Sequence, residues 1–133
     1  MTLNNETRKQ LFDAAFLART RAYCPVSSYS VGSAILMENG DMILGCNVEN
    51  VVHSPGVCAE RSAFVSAISQ GYNRSDFKAI AVVGKEGDYT YPCGVCRQVI
   101  QEMNPFMDIY IVKNREEYRL TNNKELLPHA FSL

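Results

Sequence analysis

SVGSAILMENGDMILGCNV, residues 30–48, is the stretch that decides the fold. Ser30 to Met37 and Met42 to Val48 are apolar and rich in β-favouring side chains, with Glu38-Asn39-Gly40-Asp41 between them. Asn-Gly flanked by two such runs predicts a two-residue hairpin turn, because both central positions of that turn need positive φ. The stretch therefore predicts an antiparallel hairpin.

Upstream, Asn4 or Asn5 can cap a helix in which Leu11, Ala14, Ala15, Ala18 and Ala22 fall at helical spacing, so residues 5–22 are expected as an amphipathic helix. Pro25 stops it, and Cys24 to Ser30 is a Ser- and Pro-bearing loop. Downstream, residues 49–57 form a loop around Pro55-Gly56. Residues 58–70 are helical in pattern, with Ala59, Ala63, Ala67, Phe64 and Ile68 on adjoining faces and Gly71 as C-terminal cap. A strand is expected over 79–84, a polar loop over 85–92, and a helix over 94–103 that Asn104-Pro105 ends. Strands over 107–112 and 118–121 follow, then a helical turn over 124–127 before Pro128. The order α-β-β-α-β-α-β-β-α implies the α/β class, a three-layer α/β/α sandwich around a mixed five-stranded sheet.

With 133 residues the chain is expected to be a single domain over 1–133, long enough to bury roughly two-thirds of its unfolded surface. A formal net charge of −1 and the lack of any long run of like charge speak against a polyanion-binding surface. No stretch is long and apolar enough for a membrane span, and the first twenty residues lack the apolar core of a signal peptide. A cytoplasmic protein is expected. Its five cysteines, Cys24, Cys46, Cys58, Cys93 and Cys96, are then reduced, which favours metal ligation over a disulfide framework.

Two cysteine segments carry the chemistry: Cys58-Ala59-Glu60 and Pro92-Cys93-Gly94-Val95-Cys96, each at an expected loop-to-helix junction after a strand. Cys93 and Cys96 are spaced so that one helical turn can aim both sulfurs at a single ion. Cys-x-x-Cys is shared with redox sites, but those need no third thiol, and Cys58 supplies one. Three thiolates around Zn²⁺ leave a coordination position for water, and Glu60 beside it can move protons. Such a cluster is net negative. Two helix N-termini, together with Arg61 and Arg97, are the available sources of compensating positive charge. A closed structural site is the competing reading, with Cys46 or His53 as fourth ligand and no catalysis.

With these residues in view, the chain resembles the cytidine deaminases of the small class that binds zinc through three cysteines. The resemblance covers nearly the whole sequence. It rests on Cys58-Ala59-Glu60-Arg61, Pro92-Cys93-Gly94-Val95-Cys96-Arg97-Gln98-Val99, Val31-Gly32, Gly45-Cys46-Asn47-Val48-Glu49-Asn50 and Glu125-Leu126-Leu127-Pro128. It implies hydrolytic deamination of cytidine and deoxycytidine to uridine and deoxyuridine, a step of pyrimidine salvage, with one zinc per chain. By resemblance Cys58, Cys93 and Cys96 bind the metal, and Glu60 shuttles protons between water, the ring N3 and the leaving amine. Asn47 and Glu49 hydrogen-bond the ribose. Tyr29 stands where the family usually has a Phe that packs on the nucleoside. Phe131 matches an aromatic that reaches the base in a neighbouring subunit, which implies a homotetramer with shared active sites.

Several residues depart from the common family pattern: Val26 for Tyr, Ser30 for Pro or a basic residue, Val51-Val52 for smaller residues, and His53 for Tyr. They bear on substrate preference more than on the reaction. Three rivals stay open at this point. One is a deaminase of another cytosine-bearing small molecule, such as a blasticidin-type antibiotic. Another is a nucleic-acid editing enzyme, which would need a basic approach that the charge balance does not suggest. The last is the noncatalytic zinc-binding module.

Overall fold

The computed structural model describes residues 2–132. Its order is α1 (Asn5–Arg19), β1 (Gly32–Met37), β2 (Met42–Cys46), α2 (Ala59–Ser69), a 3₁₀ turn (Arg74–Asp76), β3 (Phe77–Val83), α3 (Gly94–Met103), β4 (Asp108–Val112), β5 (Tyr118–Thr121) and α4 (Asn123–Leu126). The expected order of helices and strands holds. The two end residues of the domain expected over 1–133 lie outside the described residues.

The strands form one sheet in the order β2-β1-β3-β4-β5. Only the β3–β4 pair is parallel, and α3 makes the crossover between them. The sheet is therefore mixed. Period-two alternation sends its side chains to two separate clusters. Ala34, Leu36, Ala79, Ala81, Val83, Tyr110 and Val112 pack with Leu11, Phe12 and Ala15 of α1. Ile35, Met37, Ile80, Val82, Ile109 and Ile111 pack with Ala63, Phe64 and Ala67 of α2 and Ile100 of α3. With helices on both faces, β1 is buried at every position. This is the three-layer sandwich that the sequence predicts.

The hairpin stands, but its turn differs from the expected one. Gly40 has φ +94°, whereas Asn39 does not take a positive φ. The Gly40 N–H donates to Met37 O at 3.0 Å and Met37 N–H to Asp41 O at 2.8 Å. The loop is thus three residues, Glu38 to Gly40, in which glycine alone supplies the left-handed position. The Asn39 side chain instead accepts from the Asp41 N–H at 2.9 Å.

Helix α1 is capped by Asn4, whose side chain accepts from Thr7 N–H, and it ends at Arg19 instead of residue 22. Arg21 and Ala22 N–H groups bond to carbonyls three residues back, tightening the last turn. Tyr23 is then captured by the 47–49 segment: its N–H donates to Asn47 O, and the Glu49 N–H donates to its carbonyl. Strand β3 begins at Phe77, two residues earlier than expected, because a register irregularity between Leu36 and Met37 lets Met37 pair with Phe77. Gly71, at φ +102°, follows α2 as the sequence predicts.

One glycine positions the site. A side-chain carbon at Gly45 on β2 would collide with Ala59 O and Ala63 N of α2. The bare backbone lets the first turn of α2 lie directly on β2, which sets where Cys58 emerges.

Candidate active site

Cys58 is the N-cap of α2 and Cys93 the N-cap of α3, both in extended backbone conformation. Neither side chain caps a backbone N–H of its own helix, so both sulfurs are free to face each other. Their Sγ atoms are 3.6 Å apart. Cys96, buried in the first turn of α3, brings the third sulfur, and the three Sγ atoms lie within 4.8 Å of one another. Sulfurs bound tetrahedrally to zinc at about 2.3 Å sit about 3.8 Å apart, so the cluster fits the ion in spacing and in donor type. Two helix N-termini meet at it, and the positive end of a helix favours negative charge on the sulfurs.

The protons in this cluster are unevenly held. The Cys58 thiol is lowered to about 5, first by a hydrogen bond from Cys96 and further by Arg61 and Cys93. The Cys96 thiol is pushed up because it donates to Cys58 and is buried beside it. The cluster thus favours the thiolate at Cys58, and a metal bound there would take the place of the protons on its neighbours. Arg61 Nη2 lies 3.7 Å from Cys58 Sγ and supplies the compensating charge. Arg97 does not reach the sulfurs. It donates to Pro92 O at 2.7 Å and to Leu126 O at 2.8 Å, tying the approach to Cys93 to α4.

Glu60 is only 3% exposed. Burial pushes its carboxyl up to about 7, and the negative charge of Cys58 adds to the shift. A carboxyl poised there exists in both protonation states near neutrality, the condition for moving protons in both directions.

Cys58, Cys93 and Glu60 open onto a cavity of about 450 Å³, within the usual range for small-molecule sites. Tyr29, Asn47 and Glu49 line the same cavity, as do Val26 and His53. Asn47 and Glu49 also hold its wall together. Asn47 Oδ1 accepts from the Val31 N–H at 2.9 Å, and its Nδ2 donates to Tyr29 O at 2.8 Å. Glu49 Oε1 accepts from the N–H groups of Val26 and Ser27, and its Oε2 from Ser27 Oγ. Both side chains therefore staple the 26–31 loop onto the end of β2. That role was invisible in sequence, because the partners lie about twenty residues upstream.

Phe131 does not line this cavity in its own chain and is 72% exposed. Ser30 also lies outside the cavity lining, with its hydroxyl 3.2 Å from Cys24 Sγ. Neither Cys46 nor His53 joins the sulfur cluster: among the described residues, Cys58, Cys93 and Cys96 form the one metal-competent group. The closed structural site is not built. Thr90 and Tyr91 line the cavity and were not singled out from sequence. Their signal was their place just ahead of Pro92-Cys93.

The chain matches the family model described as the cytidine and deoxycytidylate deaminase zinc-binding region over residues 5–113. The chain belongs to this deaminase family. A cytidine deaminase of Sporosarcina psychrophila is 45% identical over 116 residues, covering 86% of this chain and 84% of that protein. One from Halalkalibacterium halodurans is 40% identical over 126 residues and 94% of each chain. Among solved structures, the cytidine deaminase from Burkholderia pseudomallei superposes with a TM-score of 0.88 at 39% identity, over 97% of this chain and all of the other. The family match spans both cysteine segments, so the zinc-binding assignment covers the three sulfurs found together here.

Proposed function

We propose that the chain catalyses hydrolytic deamination of cytidine and deoxycytidine, giving uridine or deoxyuridine and ammonia. One observation carries the reading: the buried Glu60 carboxyl sits beside a three-sulfur cluster able to hold a metal and opens onto a cavity of about 450 Å³. Cys58, Cys93 and Cys96 would hold the zinc, which would supply a Lewis acid able to bring the pKa of water toward about 7. Glu60 accepts a proton from the attacking water and passes one to the ring N3 as the C4–O bond forms. It then takes the proton of the new C4 hydroxyl and delivers it to the exocyclic nitrogen; C4=O forms as the C4–N bond breaks, and ammonia leaves. Arg61 acts on Cys58, drawing charge from the sulfur and limiting its donation to the metal.

Asn47 keeps one amide hydrogen and Glu49 keeps carboxylate lone pairs beyond those used on the loop, and these are the groups assigned to the ribose hydroxyls. The Tyr29 ring is assigned to pack on the nucleoside. Among the described residues lining the cavity, Arg61 is the one Lys or Arg, and its Nη2 is directed at Cys58 Sγ. A 5′-phosphate would find Glu49 nearby and no free cation, which favours a nucleoside over a nucleotide or a nucleic acid.

Phe131 is assigned to the cavity of a neighbouring copy, in a homotetramer with shared active sites. Its exposure supports this, as does the anchoring of its carbonyl by Gln98 Nε2 at 3.0 Å. The single domain would act in the cytoplasm, in pyrimidine salvage, where five free thiols stay reduced. No helix of the described residues is long and apolar enough to cross a membrane.

The test is an ultraviolet assay of cytidine and deoxycytidine loss, with and without a zinc chelator. Glu60→Ala is expected to retain zinc and lose turnover. Normal deamination by that variant would refute the proton-shuttle role, and preferential turnover of a blasticidin-type antibiotic over cytidine would reassign the substrate.

A further inference from the structure

The rim of the cavity is built from two loops that leave the same end of the sheet. Gly32 pairs with Val83 across the antiparallel β1–β3 ladder, so the loop entering β1 and the loop leaving β3 emerge side by side. The first loop carries Tyr29. The second carries Asp88 and Thr90 and leads, three residues later, to Cys93. Tyr29 Oη lies 2.7 Å from Thr90 Oγ1 and 3.1 Å from Asp88 Oδ2. The carboxylate can only accept, so the Tyr29 hydroxyl donates to Asp88 and the Thr90 hydroxyl donates to Tyr29. Two hydroxyls and a carboxylate in series polarise one another.

The backbone beneath is shaped for this contact. A side-chain carbon at Gly84, the buried residue just after β3, would collide with Thr90 Oγ1 and lie 2.8 Å from Tyr29 Oη. Gly84 does not take a positive φ, so glycine serves here for space. The opposite end of Tyr29 is also held, since its carbonyl accepts from Asn47 Nδ2 at 2.8 Å. The residue is thus held at its backbone and at its hydroxyl, and the hydroxyl is gripped by the loop that delivers a metal ligand.

We propose that Thr90 and Asp88 are positioning residues that clasp the Tyr29 hydroxyl, join the two rim loops, and set the affinity for the nucleoside by fixing the Tyr29 ring. This rests on the nucleoside reading given above. The clasp belongs to the tyrosine: a phenylalanine ring could line the cavity but could not join the loops.

Tyr29→Phe, Thr90→Val and the double variant are compared with the wild-type enzyme on cytidine, together with amide hydrogen exchange over residues 85–91. Loss of one such hydrogen bond is expected to raise KM about three- to tenfold. The kcat should move less than twofold and zinc content should stay at the wild-type level. The double variant should be no worse than the poorer single one, and Thr90→Ser should restore KM. Gly84→Ala, whose added carbon would meet the Thr90 and Tyr29 hydroxyls and push them apart while leaving both residues in place, should reproduce the raised KM. Asp88→Asn, at an exposed position, weakens the same chain should Thr90→Val fail to fold. Unchanged KM in active variants would overturn the proposal, as would additive effects in the double variant. Exchange over 85–91 should quicken in Tyr29→Phe and Thr90→Val whatever the substrate. A wild-type enzyme inert on cytidine would therefore refute the functional reading while exchange still tested the clasp, and unchanged exchange would overturn the clasp itself.

Discussion

Cys58 and Cys93 stand 35 residues apart in the chain, yet their sulfurs lie 3.6 Å from each other. Two helix starts produce this meeting, one set by the contact of α2 with Gly45 and the other by the Pro92 approach that Arg97 holds. The site is an outcome of helix placement on the sheet, and its metal should report on that placement.

Cys93→Ala removes one of three sulfurs and leaves the other two on separate helices. Loss of a direct ligand should cost more than the roughly 10–100-fold in affinity typical of an outer partner. Zinc measured after dialysis should fall far below one per chain, with turnover falling in parallel. Full zinc retention would mean that another group serves as ligand.

The Glu49 carboxyl is held below the usual carboxylate range, first by the Ser27 hydroxyl and then by backbone N–H groups of Ser27 and Val26. A depressed folded pKa contributes order that is present above the unfolded value of about 4.3 and is lost as pH falls through the lower folded value. Protection of the amides over residues 24–31, measured against the intrinsic exchange rate at each pH, should therefore fall in wild-type protein as pH drops below about 4. In Glu49→Gln the loop should be looser at neutral pH and nearly insensitive to that drop. Matching pH profiles in the two proteins would remove Glu49 from this role.

Gly45 and Gly40 predict different costs for the same substitution. Gly45→Ala places a carbon against the backbone of α2 and should destabilise by about 1–3 kcal/mol or more in urea unfolding. It should also weaken zinc binding, because α2 carries Cys58. At Gly40 nothing lies within 4 Å, but φ is +94°, so Gly40→Ala should cost about 1–2 kcal/mol in backbone strain and leave zinc untouched.

Phe131 offers a test of shared sites. Phe131→Ala should raise KM for cytidine several-fold, and Glu60→Ala alone should be inactive. Mixing and reassembling the two should regain activity at low substrate, since a site with Glu60 from one chain and Phe131 from the other is complete. Activity equal to the sum of the separate proteins would place Phe131 outside any neighbour's cavity.

Much of this molecule was legible locally. The hairpin, the two cysteine helices and the Cys93–Cys96 pair follow from spacing within about four residues, the range over which turn chemistry and helical periodicity act. The misreadings share a cause. Asn-Gly suggested a two-residue turn, but the Asn39 side chain bonds to the Asp41 N–H and only Gly40 is left-handed. Helix α1 was drawn three residues too long because the pull of Asn47 and Glu49 on Tyr23 comes from a distant segment. Arg97 looked as able as Arg61 to reach sulfur, until α4 claimed its guanidinium through Leu126 O.

By itself the sequence determined which chemistry was possible: three soft sulfurs, a carboxylate and the amide and acid that follow β2, each on an element that its own neighbours specify. Only the tertiary structure decided that the carboxylate is poised. Glu60 is near neutral because burial strips water from it and a thiolate stands close by, and both effects depend on distance and dielectric in three dimensions. Packing likewise brought Tyr29 to Thr90 across 61 residues of chain.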